Sequence, residues 1–450
     1  MDKDGAVFPQ LPPDFRFGTS TAAYQIEGAA AEDGKGPSIW DTFAAQPGRI
    51  ADGTTGEVAC DHYHRWEEDV ALLRDLGAPG YRFSISWPRI QPTGSGEVNK
   101  AGLAFYDRLV DRLLEAGLEP MVTLYHWDLP QGLQDDGGWL NRDTIERFAE
   151  YAGILGTALA DRVAHWIPVN EPNVVTMLGH GLGTHAPGRA LTFDALPVAH
   201  HLLVAHGRAA IALREAGATS IGSANNHAPI WPASDQDADV GAAKLFDMLW
   251  NGLYLEGMLL GRYPADLMPL FEDVARPGDF ATMRQPLDFY GLNYYNPIKV
   301  AASPEDAELP FEVLDLLGYP TTDFGWPIVP DALREWLIMF RARYRAALPP
   351  IVITESGCSY ADGPDADGVV DDQRRIDYHA AHLNAVATAI QRGVDIRGYY
   401  AWSLIDNFEW AEGYTQRFGL VHVDYETLQR TPKKSFEWYR DLIAAQRQEA

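Results

Sequence analysis

Cysteine is almost absent from the sequence: Cys60 and Cys358 are the only two in 450 residues. A chain of this length can bury a large hydrophobic core, so its fold does not depend on a disulfide framework. No His/Asn constellation accompanies Cys358, and we predict a buried small thiol there. The low cysteine content favours a reducing cytoplasm as the compartment.

Basic residues and long apolar runs are also scarce. Lys and Arg number 36 against 63 Asp and Glu, giving a formal net charge of -27. This charge repels phosphate backbones and anionic lipid head groups, so neither nucleic acid nor a membrane surface is predicted as a partner. No stretch of about 18 apolar residues occurs, and the amino-terminal MDKDGAVFPQLPPDF lacks the pattern of a secretion signal. We expect a soluble protein.

Several motifs and boundary signals are missing. There is no GxGxxG, GxxxxGK[ST] or HExxH, and GCSYA at 357–361 departs from the GxSxG nucleophile elbow. No linker-like tract or composition shift divides the chain. The sequence therefore predicts one catalytic domain over residues 1–450, with an N-terminal extension at 1–13 and a C-terminal tail at 441–450.

Short β-branched or aromatic runs alternate with longer stretches of helical periodicity along the whole chain, which is typical of parallel strands covered by helices. The predicted strands are FRFGTST from Phe15, YRFSIS from Tyr81, PMVTLY from Pro120, HWIPVN from His165, SIGSAN from Ser220, LDFYGLNYY from Leu287, PIVITE from Pro350 and RGYYAWS from Arg397. Without a glycine-rich phosphate turn, a doubly wound open sheet is less favoured. We predict a (β/α)8 TIM barrel with loop insertions.

Two stretches between the strands carry their own predictions. The first, residues 102–120, predicts a covering helix that ends near Gly117. Its predicted buried face consists of Leu103, Tyr106, Leu109, Val110, Leu113 and Leu114. The second stretch, residues 301–324, is predicted as an irregular acidic loop that shapes the entrance to the barrel.

Polar and aromatic side chains follow seven of the eight strands, strand five being the exception. These side chains are Gln25, Arg82, His126, Trp127, Asn170, Glu171, Asn293, Tyr295, Glu355, Trp402, Glu409 and Trp410. Because the carboxyl ends of parallel barrel strands meet at one face, we expect this set to gather there. Sugars need such a wall, since hydroxyl groups bond planar polar partners and C–H faces stack on aromatic rings.

Two glutamates in this set fit the two parts that glycoside cleavage requires. Glu355 has a candidate cationic neighbour in Arg82, which favours the ionised form, whereas Glu171 lies in an aromatic-rich stretch where burial favours the neutral form. An ion pair at the barrel mouth is the structural alternative for either glutamate. A retaining mechanism predicts that the two carboxyl groups lie about 5 Å apart.

The chain resembles the family-one glycoside hydrolases, the β-glucosidase and β-galactosidase group, from Phe15 to about Tyr439. The resemblance rests on TAAYQIEGA at 21–29, YRFSISWPRI at 81–90, HWDLPQGL at 126–133, NEP at 170–172, GLNYY at 291–295, ITESG at 353–357 and WSLIDNFEWAEGY at 402–414. It implies a retaining β-glycosidase, with a small-molecule β-glycoside as substrate and no metal or organic cofactor.

The resemblance also implies individual roles. Glu171 is the acid/base, Glu355 the nucleophile, and Arg82 with Tyr295 hold the nucleophile. Trp326 is the platform for the leaving group. The remaining candidate sugar-binding residues are Gln25, His126, Trp127, Asn170, Asn293, Tyr295, Trp402, Glu409, Trp410 and Phe418. Ser356 departs from the family's usual Asn after the nucleophile, which puts the positioning of neighbouring groups in doubt.

Several alternatives bear on substrate and activity. Glu409 is retained where members that cleave 6-phosphosugars replace it, and Glu171 is retained where thioglucosidases have glutamine, so we predict an O-glycosidase acting on β-D-glucosides. A β-galactosidase, a β-fucosidase and a transglycosylase of the same family remain open. From another class, a non-catalytic sugar-binding barrel remains open as well. The sequence does not predict an oligomeric state.

Overall fold

A parallel sheet of eight strands is the centre of the computed structural model, which describes residues 8–449. The strands of this sheet and of two smaller sheets are, in chain order, β1 (Arg16–Ser20), β2 (Gly80–Ser84), β3 (Glu119–Tyr125), β4 (His165–Val169), β5 (Asn225–Asn226), β6 (Ile230–Pro232), β7 (Tyr290–Asn293), β8 (Ile298–Ala302), β9 (Phe311–Leu314), β10 (Ile351–Ser356), β11 (Ile396–Trp402), β12 (Val421–Val423) and β13 (Arg430–Pro432). The large sheet has the order β4-β3-β2-β1-β11-β10-β7-β5.

The sheet closes on itself between β4 and the segment that leads into β5. Parallel bridges join Trp166 to Ile221 and Asn170 to Ala224, and a further bridge joins Gly222 to Phe289 before β7. The predicted fifth strand therefore lies in its expected place, although only Asn225–Asn226 form a continuous ladder there. With helices between the strands, this closure confirms the predicted (β/α)8 barrel.

Helices follow the barrel strands, and the long ones cover the outside of the barrel. They are α1 (Ala23–Ile26), α2 (Ile39–Ala44), α3 (His62–Leu76), α4 (Trp87–Ile90), α5 (Lys100–Glu115), α6 (Gln131–Asp135), α7 (Thr144–Leu159), α8 (Pro172–Val174), α9 (Leu196–Glu215), α10 (Asp237–Asp247), α11 (Leu253–Leu260), α12 (Asp279–Met283), α13 (Pro330–Tyr344), α14 (Gln373–Gln391) and α15 (Lys434–Glu449). Two π-helical segments, Val175–Gly181 and Met248–Gly252, continue α8 and precede α11.

The predicted helix between strands two and three is α5. Its first turn is capped by Asn99, whose side chain accepts a hydrogen bond from the backbone N–H of Ala101 at 3.2 Å. The predicted buried face was wrong at Leu114, which is 40% exposed, while Phe105 is buried. Leu114 follows Leu113 by about 100° around the helix axis, and this rotation carries it off the stripe that faces the sheet.

Side chains of different sizes fill the inside of the barrel. Met121, Ile167, Ala224, Phe289 and Tyr400 form one buried cluster drawn from five strands or strand-leading segments. Tyr400 is accommodated because β1 and β2 carry glycine beside it: a Cβ on Gly18 would lie 2.3 Å from its ring, and one on Gly80 would lie 2.5 Å from its hydroxyl oxygen. The interior is a packed core and not a channel.

A small second sheet stands beside the barrel mouth, in the order β6-β8-β9. Its outer strand β9 pairs antiparallel with β8 and lies inside residues 301–324, so the prediction of an irregular loop there was wrong in part. Phe311 explains the strand: it is buried and packs edge-on against Phe246, with ring centroids 5.1 Å apart. An aromatic anchor of this kind fixes the local backbone although the flanking residues are acidic.

The first and last described segments of the chain meet on one side of the barrel. The prediction of a C-terminal tail was wrong for residues 441–449. They continue α15, and Leu442 and Ile443 are buried there. Gln446 donates hydrogen bonds to the backbone oxygens of Leu11 and Pro12, both at 3.0 Å. Of the predicted N-terminal extension, residues 1–7 lie outside the described part of the chain.

Two expectations from composition can be compared with this fold. Cys358 is buried and free, as predicted, and so is Cys60. None of the helices between residues 8 and 449 combines the length and the apolar character that crossing a lipid bilayer requires.

Candidate active site

A cavity of about 780 Å³ opens at the carboxyl ends of the barrel strands. It brings together many of the residues that the sequence singled out: His126, Trp127, Glu171, Tyr295, Trp326, Glu355, Trp402, Glu409, Trp410 and Phe418 all line it. Gln25, Arg82, Asn170 and Asn293 are fully or almost fully buried behind this wall. They reach the cavity through hydrogen bonds to residues that line it.

Glu171 lies at the point where β4 ends and α8 begins. Its φ of 48° is in the left-handed region, and Pro172 occupies the first position of the helix, where no backbone N–H is needed. The side chain is buried, and its Oε1 accepts hydrogen bonds from the amides of Asn293 at 2.7 Å and Asn226 at 3.2 Å. Both of these partners are uncharged.

Glu355 lies near the end of β10 and has different partners. Its Oε1 forms an ion pair with the guanidinium of Arg82 at 2.6 Å, and both side chains are almost completely buried. Its Oε2 accepts a hydrogen bond from the hydroxyl of Tyr295 at 2.7 Å. The two contacts leave the carboxylate held from both sides.

Hydrogen bonds connect the two glutamates beneath the cavity. The Oδ1 of Asn170 accepts from Arg82 at 2.5 Å and from Asn293 at 3.1 Å. Since Arg82 also holds Glu355 and Asn293 also holds Glu171, one continuous network fixes both carboxyl groups. The hydroxyl of Thr354 completes it by donating to the Oδ1 of Asn293 at 2.6 Å.

Burial and mutual repulsion affect the ionisation of this pair. Burial, reinforced by the negative charge of Glu355, raises the pKa of Glu171 to about 8. Burial also raises the pKa of Glu355, but the charge of Arg82 and the hydrogen bond from Tyr295 act in the opposite direction. Of the two glutamates, only Glu355 forms an ion pair with Arg82. The negative charge of the pair therefore resides on Glu355, and Glu171 is protonated.

Polar groups with unused hydrogen-bonding capacity surround the deepest part of the cavity. Gln25 donates its amide to Glu409 at 3.2 Å and to Asn407 at 3.0 Å, while its Oε1 has no partner among the described residues. His126 has an equally unpaired Nδ1, and burial keeps its ring neutral by lowering its pKa. Burial and Glu355 raise the pKa of Glu409 to about 8. These groups suit hydroxyls that both donate and accept.

Aromatic rings form the rest of the wall. The ring of His126 stacks with those of Trp402 and Trp410, each at 5.8 Å. Trp326 contacts the ring of Tyr295 at 5.1 Å and lies toward the entrance. Trp127 contributes only its ring, because its indole N–H is donated to the backbone oxygen of Asn170 at 3.0 Å.

One polar residue of the site was missed by sequence reasoning. The prediction that strand five supplies no polar side chain was wrong, since Asn226 at the end of β5 binds Glu171. Its position directly after the predicted strand was the signal that could have identified it. Ser356, the departure from the family pattern, is buried, and its hydroxyl lies 3.5 Å from the hydroxyl of Tyr378.

Comparison with known proteins agrees with this geometry. The family model described as glycosyl hydrolase family 1 matches residues 8–448. The chain belongs to this family. It is therefore a glycoside hydrolase, and the resemblance noted in its motifs is confirmed over nearly the whole chain.

Individual members of glycosyl hydrolase family 1 are similar along their full length. A protein named β-glucosidase A from Acetivibrio thermocellus is 47% identical over 441 residues, which cover 96% of this chain and 98% of that protein. A bifunctional β-D-glucosidase/β-D-fucosidase from Bifidobacterium breve is 47% identical, with 96% and 98% covered. The solved structure of a family 1 β-glucosidase from Thermotoga maritima in complex with isofagomine lactam has a TM-score of 0.93 at 42% identity, covering 98% of this chain and 100% of that one.

Proposed function

We propose that the chain hydrolyses terminal nonreducing β-D-glucosyl residues of oligosaccharides or glucosides by double displacement, with Glu355 as nucleophile and Glu171 as acid/base. The observation that carries this proposal is the unequal environment of two buried carboxyl groups in one cavity. Glu355 has a cationic partner and Glu171 has only amide partners. Retaining glycosidases need one ionised and one protonated carboxyl group at the scissile bond.

In the first step, a carboxylate oxygen of Glu355 attacks the anomeric carbon and the bond from that carbon to the leaving oxygen breaks. The proton of Glu171 passes to the leaving oxygen, so an alcohol departs and a glycosyl-enzyme ester remains. In the second step, Glu171, now ionised, takes a proton from water, whose oxygen replaces Glu355 on the anomeric carbon. Glucose leaves, and both carboxyl groups regain their starting protonation states.

Arg82 and Tyr295 have positioning roles in this proposal. Their bonds to the two oxygens of Glu355 fix the direction of attack and stabilise the carboxylate when it leaves the sugar. Gln25, His126 and Glu409 hold the sugar hydroxyls, while Trp402 and Trp410 stack on its ring faces. Glucose is the preferred sugar because the names of the two relatives that are 47% identical to this chain both include β-glucosidase activity.

The name of the Bifidobacterium breve protein also includes β-fucosidase activity, so a second sugar deserves testing. Initial rates on nitrophenyl β-glucoside, β-galactoside and β-fucoside rank the three sugars. We expect the highest kcat/KM for the glucoside. Failure to turn over any of them would favour a sugar-binding barrel without catalysis, and transfer to added alcohol would reveal transglycosylation.

The proposal extends to domain organisation and compartment. We propose a single catalytic domain, since one core cluster of buried residues contains both Leu11 and Ile443. We also propose that the protein works in a reducing compartment such as the cytoplasm. Support comes from Cys60 and Cys358, which are buried as free thiols although the chain has the size to carry disulfides.

A trapping experiment tests the nucleophile. A 2-deoxy-2-fluoro-β-glucoside with a good leaving group forms the glycosyl-enzyme quickly and releases it slowly, so we expect time-dependent inactivation and one added sugar per chain. Peptide mass spectrometry is expected to find the sugar on Glu355. A label on another residue, or inactivation without a label, would refute the assignment.

Leaving-group dependence tests the acid. We expect Glu171→Ala to slow the cleavage of alkyl glucosides by about 10³-fold or more, but that of dinitrophenyl glucoside far less, since a good leaving group needs little protonation. Glu412→Ala serves as the control, because Glu412 also lines the cavity but has no contact with Glu171 or Glu355. Equal slowing of both substrates by Glu171→Ala would exclude Glu171 from the acid role.

A further inference from the structure

The cavity changes its chemistry from floor to mouth. The floor presents the polar groups that surround Glu171 and Glu355. The outer half, where the lining side chains are partly or largely exposed, includes the apolar residues Leu178, Ile298, Val313, Leu316 and Leu317. The same continuous space therefore offers hydrogen bonds at its inner end and hydrocarbon at its outer end.

The 313–317 segment, which begins within β9, gives this outer half its character. Leu317 is 84% exposed and Val313 is 56% exposed, and both line the cavity. Exposure of leucine and valine side chains to water is unfavourable. Burying their surface under an apolar group of a ligand is favourable by about 25 cal/mol per Å² of apolar surface. Val313 lies on β9, which the buried Phe311 anchors, and Leu317 lies three residues beyond the end of this strand, in a turn.

Several polar residues that line the cavity already have hydrogen-bond partners. The amide of Asn296 donates to the backbone oxygen of Pro297 at 2.9 Å, and the hydroxyl of Thr184 donates to that of Leu178 at 3.5 Å. Asn226 is committed to Glu171. Besides the groups at the floor, the lining residues with an unpaired buried polar atom among the described residues are His185, at its Nδ1, and Trp250, at its indole N–H. A second sugar ring would thus meet fewer fixed partners for its hydroxyls than the first ring does at the floor.

Charge at the mouth excludes a further class of leaving group. Asp315 and Glu412 line the outer half, and no Lys or Arg lines this cavity within residues 8–448. His185 offers no positive charge, because burial lowers its pKa to about 4. An anionic leaving group would be repelled and left without a partner.

We propose that the outer half of the cavity selects glucosides whose leaving group is an extended, uncharged apolar alcohol, in preference to those whose leaving group is a second sugar. The 313–317 segment is the specificity-determining element, with Leu317 as its most exposed contact. This inference rests on the proposed function and specifies the substrate class of the same site. The cavity volume of about 780 Å³ lies in the range of roughly 300–1,000 Å³ that encloses drug-sized ligands.

A homologous series of substrates tests the proposal. Methyl, butyl, hexyl and octyl β-glucoside carry leaving groups of nearly equal basicity, so differences in kcat/KM report contacts with the chain and not the ease of bond cleavage. We expect kcat/KM to rise by about tenfold or more from methyl to octyl, measured below the micelle-forming concentration. Cellobiose is expected to fall below hexyl glucoside. A flat series, or cellobiose as the best substrate, overturns the proposal.

Matched variants locate the effect. Leu317→Asp is expected to reduce the octyl-to-methyl ratio of kcat/KM by at least about threefold, mainly through KM, because it removes apolar contact from a remote part of the substrate. Leu270→Asp is the control, since Leu270 is 48% exposed but does not line the cavity. An unchanged ratio in Leu317→Asp, with an unchanged Tm, would refute the role of the segment.

The test separates this inference from the proposed function. Trapping by the 2-deoxy-2-fluoro-glucoside reads the chemistry at Glu355 without an alkyl chain. If trapping succeeds and the alkyl series is flat, only the inference fails. If the label is absent and no glucoside is hydrolysed, the proposed function fails and the inference fails with it.

Discussion

At the scale of single residues, the difference between Glu171 and Glu355 comes from their partners and not from their burial. Both are almost completely buried, yet only Glu355 is paired with a guanidinium. Each amide that donates to Glu171 stabilises its charged form and so lowers its pKa, in opposition to burial. The raised pKa of about 8 is the balance of these effects, and removing one donor will shift it.

Asn226→Ala tests this balance. Loss of its hydrogen bond destabilises the carboxylate of Glu171, so the pKa of Glu171 rises by about 0.5–1 unit. The acid is active when protonated, and activity is lost as the pH rises through this pKa. We therefore expect the alkaline limb of the kcat/KM profile, near pH 8 in the unaltered chain, to move to higher pH.

Asn296→Ala is the matched control, because Asn296 lines the same cavity without contacting Glu171. Its alkaline limb should coincide with that of the unaltered chain. A limb that stays in place, or moves to lower pH, in Asn226→Ala would contradict the contribution assigned to this amide.

At this scale the sequence predicted eight of the residues that line the cavity, both glutamates among them, because polar and aromatic residues at strand ends stand out against apolar strands. It did not reveal that Arg82, Asn170 and Asn293 form one network, since hydrogen bonds between strands distant in the chain depend on the closure of the barrel. It also missed Asn226, whose strand has only a two-residue ladder and gives a weak periodic signal.

At the scale of secondary-structure elements, the barrel needs glycine on a strand where the neighbouring strand carries a large side chain. Gly18 on β1 pairs with Tyr400 on β11 and with Gly80 on β2, and the ring of Tyr400 occupies the space beside both glycines. Short β-branched or aromatic runs identified these strands, but the position of Tyr400 beside two glycines follows from register, which no single strand encodes. The same reason explains why β9 was not predicted: its strand character comes from contact with β8 and Phe246.

A pair of glycine substitutions tests this packing. Gly18→Ala places a methyl group 2.3 Å from the ring of Tyr400 and 2.8 Å from the backbone oxygen of Gly80, so we expect a loss of about 1–3 kcal/mol in the free energy of unfolding. Gly241→Ala, on the exposed face of α10 with no atom within 4 Å of the added Cβ, is expected to gain about 0.5–1 kcal/mol from helix propensity. Thermal unfolding at one scan rate compares the two Tm values. A Tm for Gly18→Ala at or above that of the unaltered chain would show that the strands adjust freely.

At the scale of the whole molecule, the last helix joins the first and last described segments of the chain to the barrel. The hydroxyl of Tyr439 on α15 donates to the backbone oxygens of Gly18 on β1 and Tyr399 on β11, at 3.1 and 3.2 Å. Gln446 holds the entering chain near Leu11. The sequence predicted a tail at residues 441–450, yet three-dimensional contacts make residues 441–449 part of the closure.

Leu442→Ala distinguishes a packed helix from a tail. Leu442 has no exposed surface, and truncation of a fully buried leucine leaves a cavity that costs about 2–5 kcal/mol. We expect a clear fall in Tm, whereas Gln448→Ala, at an exposed position of the same helix, should change stability by less than about 0.5 kcal/mol. Because no residue of α15 lines the catalytic cavity, kcat/KM at 25 °C should be unchanged in both variants. A Tm for Leu442→Ala equal to that of Gln448→Ala would mean that residues 441–449 contribute no packing, as a tail would.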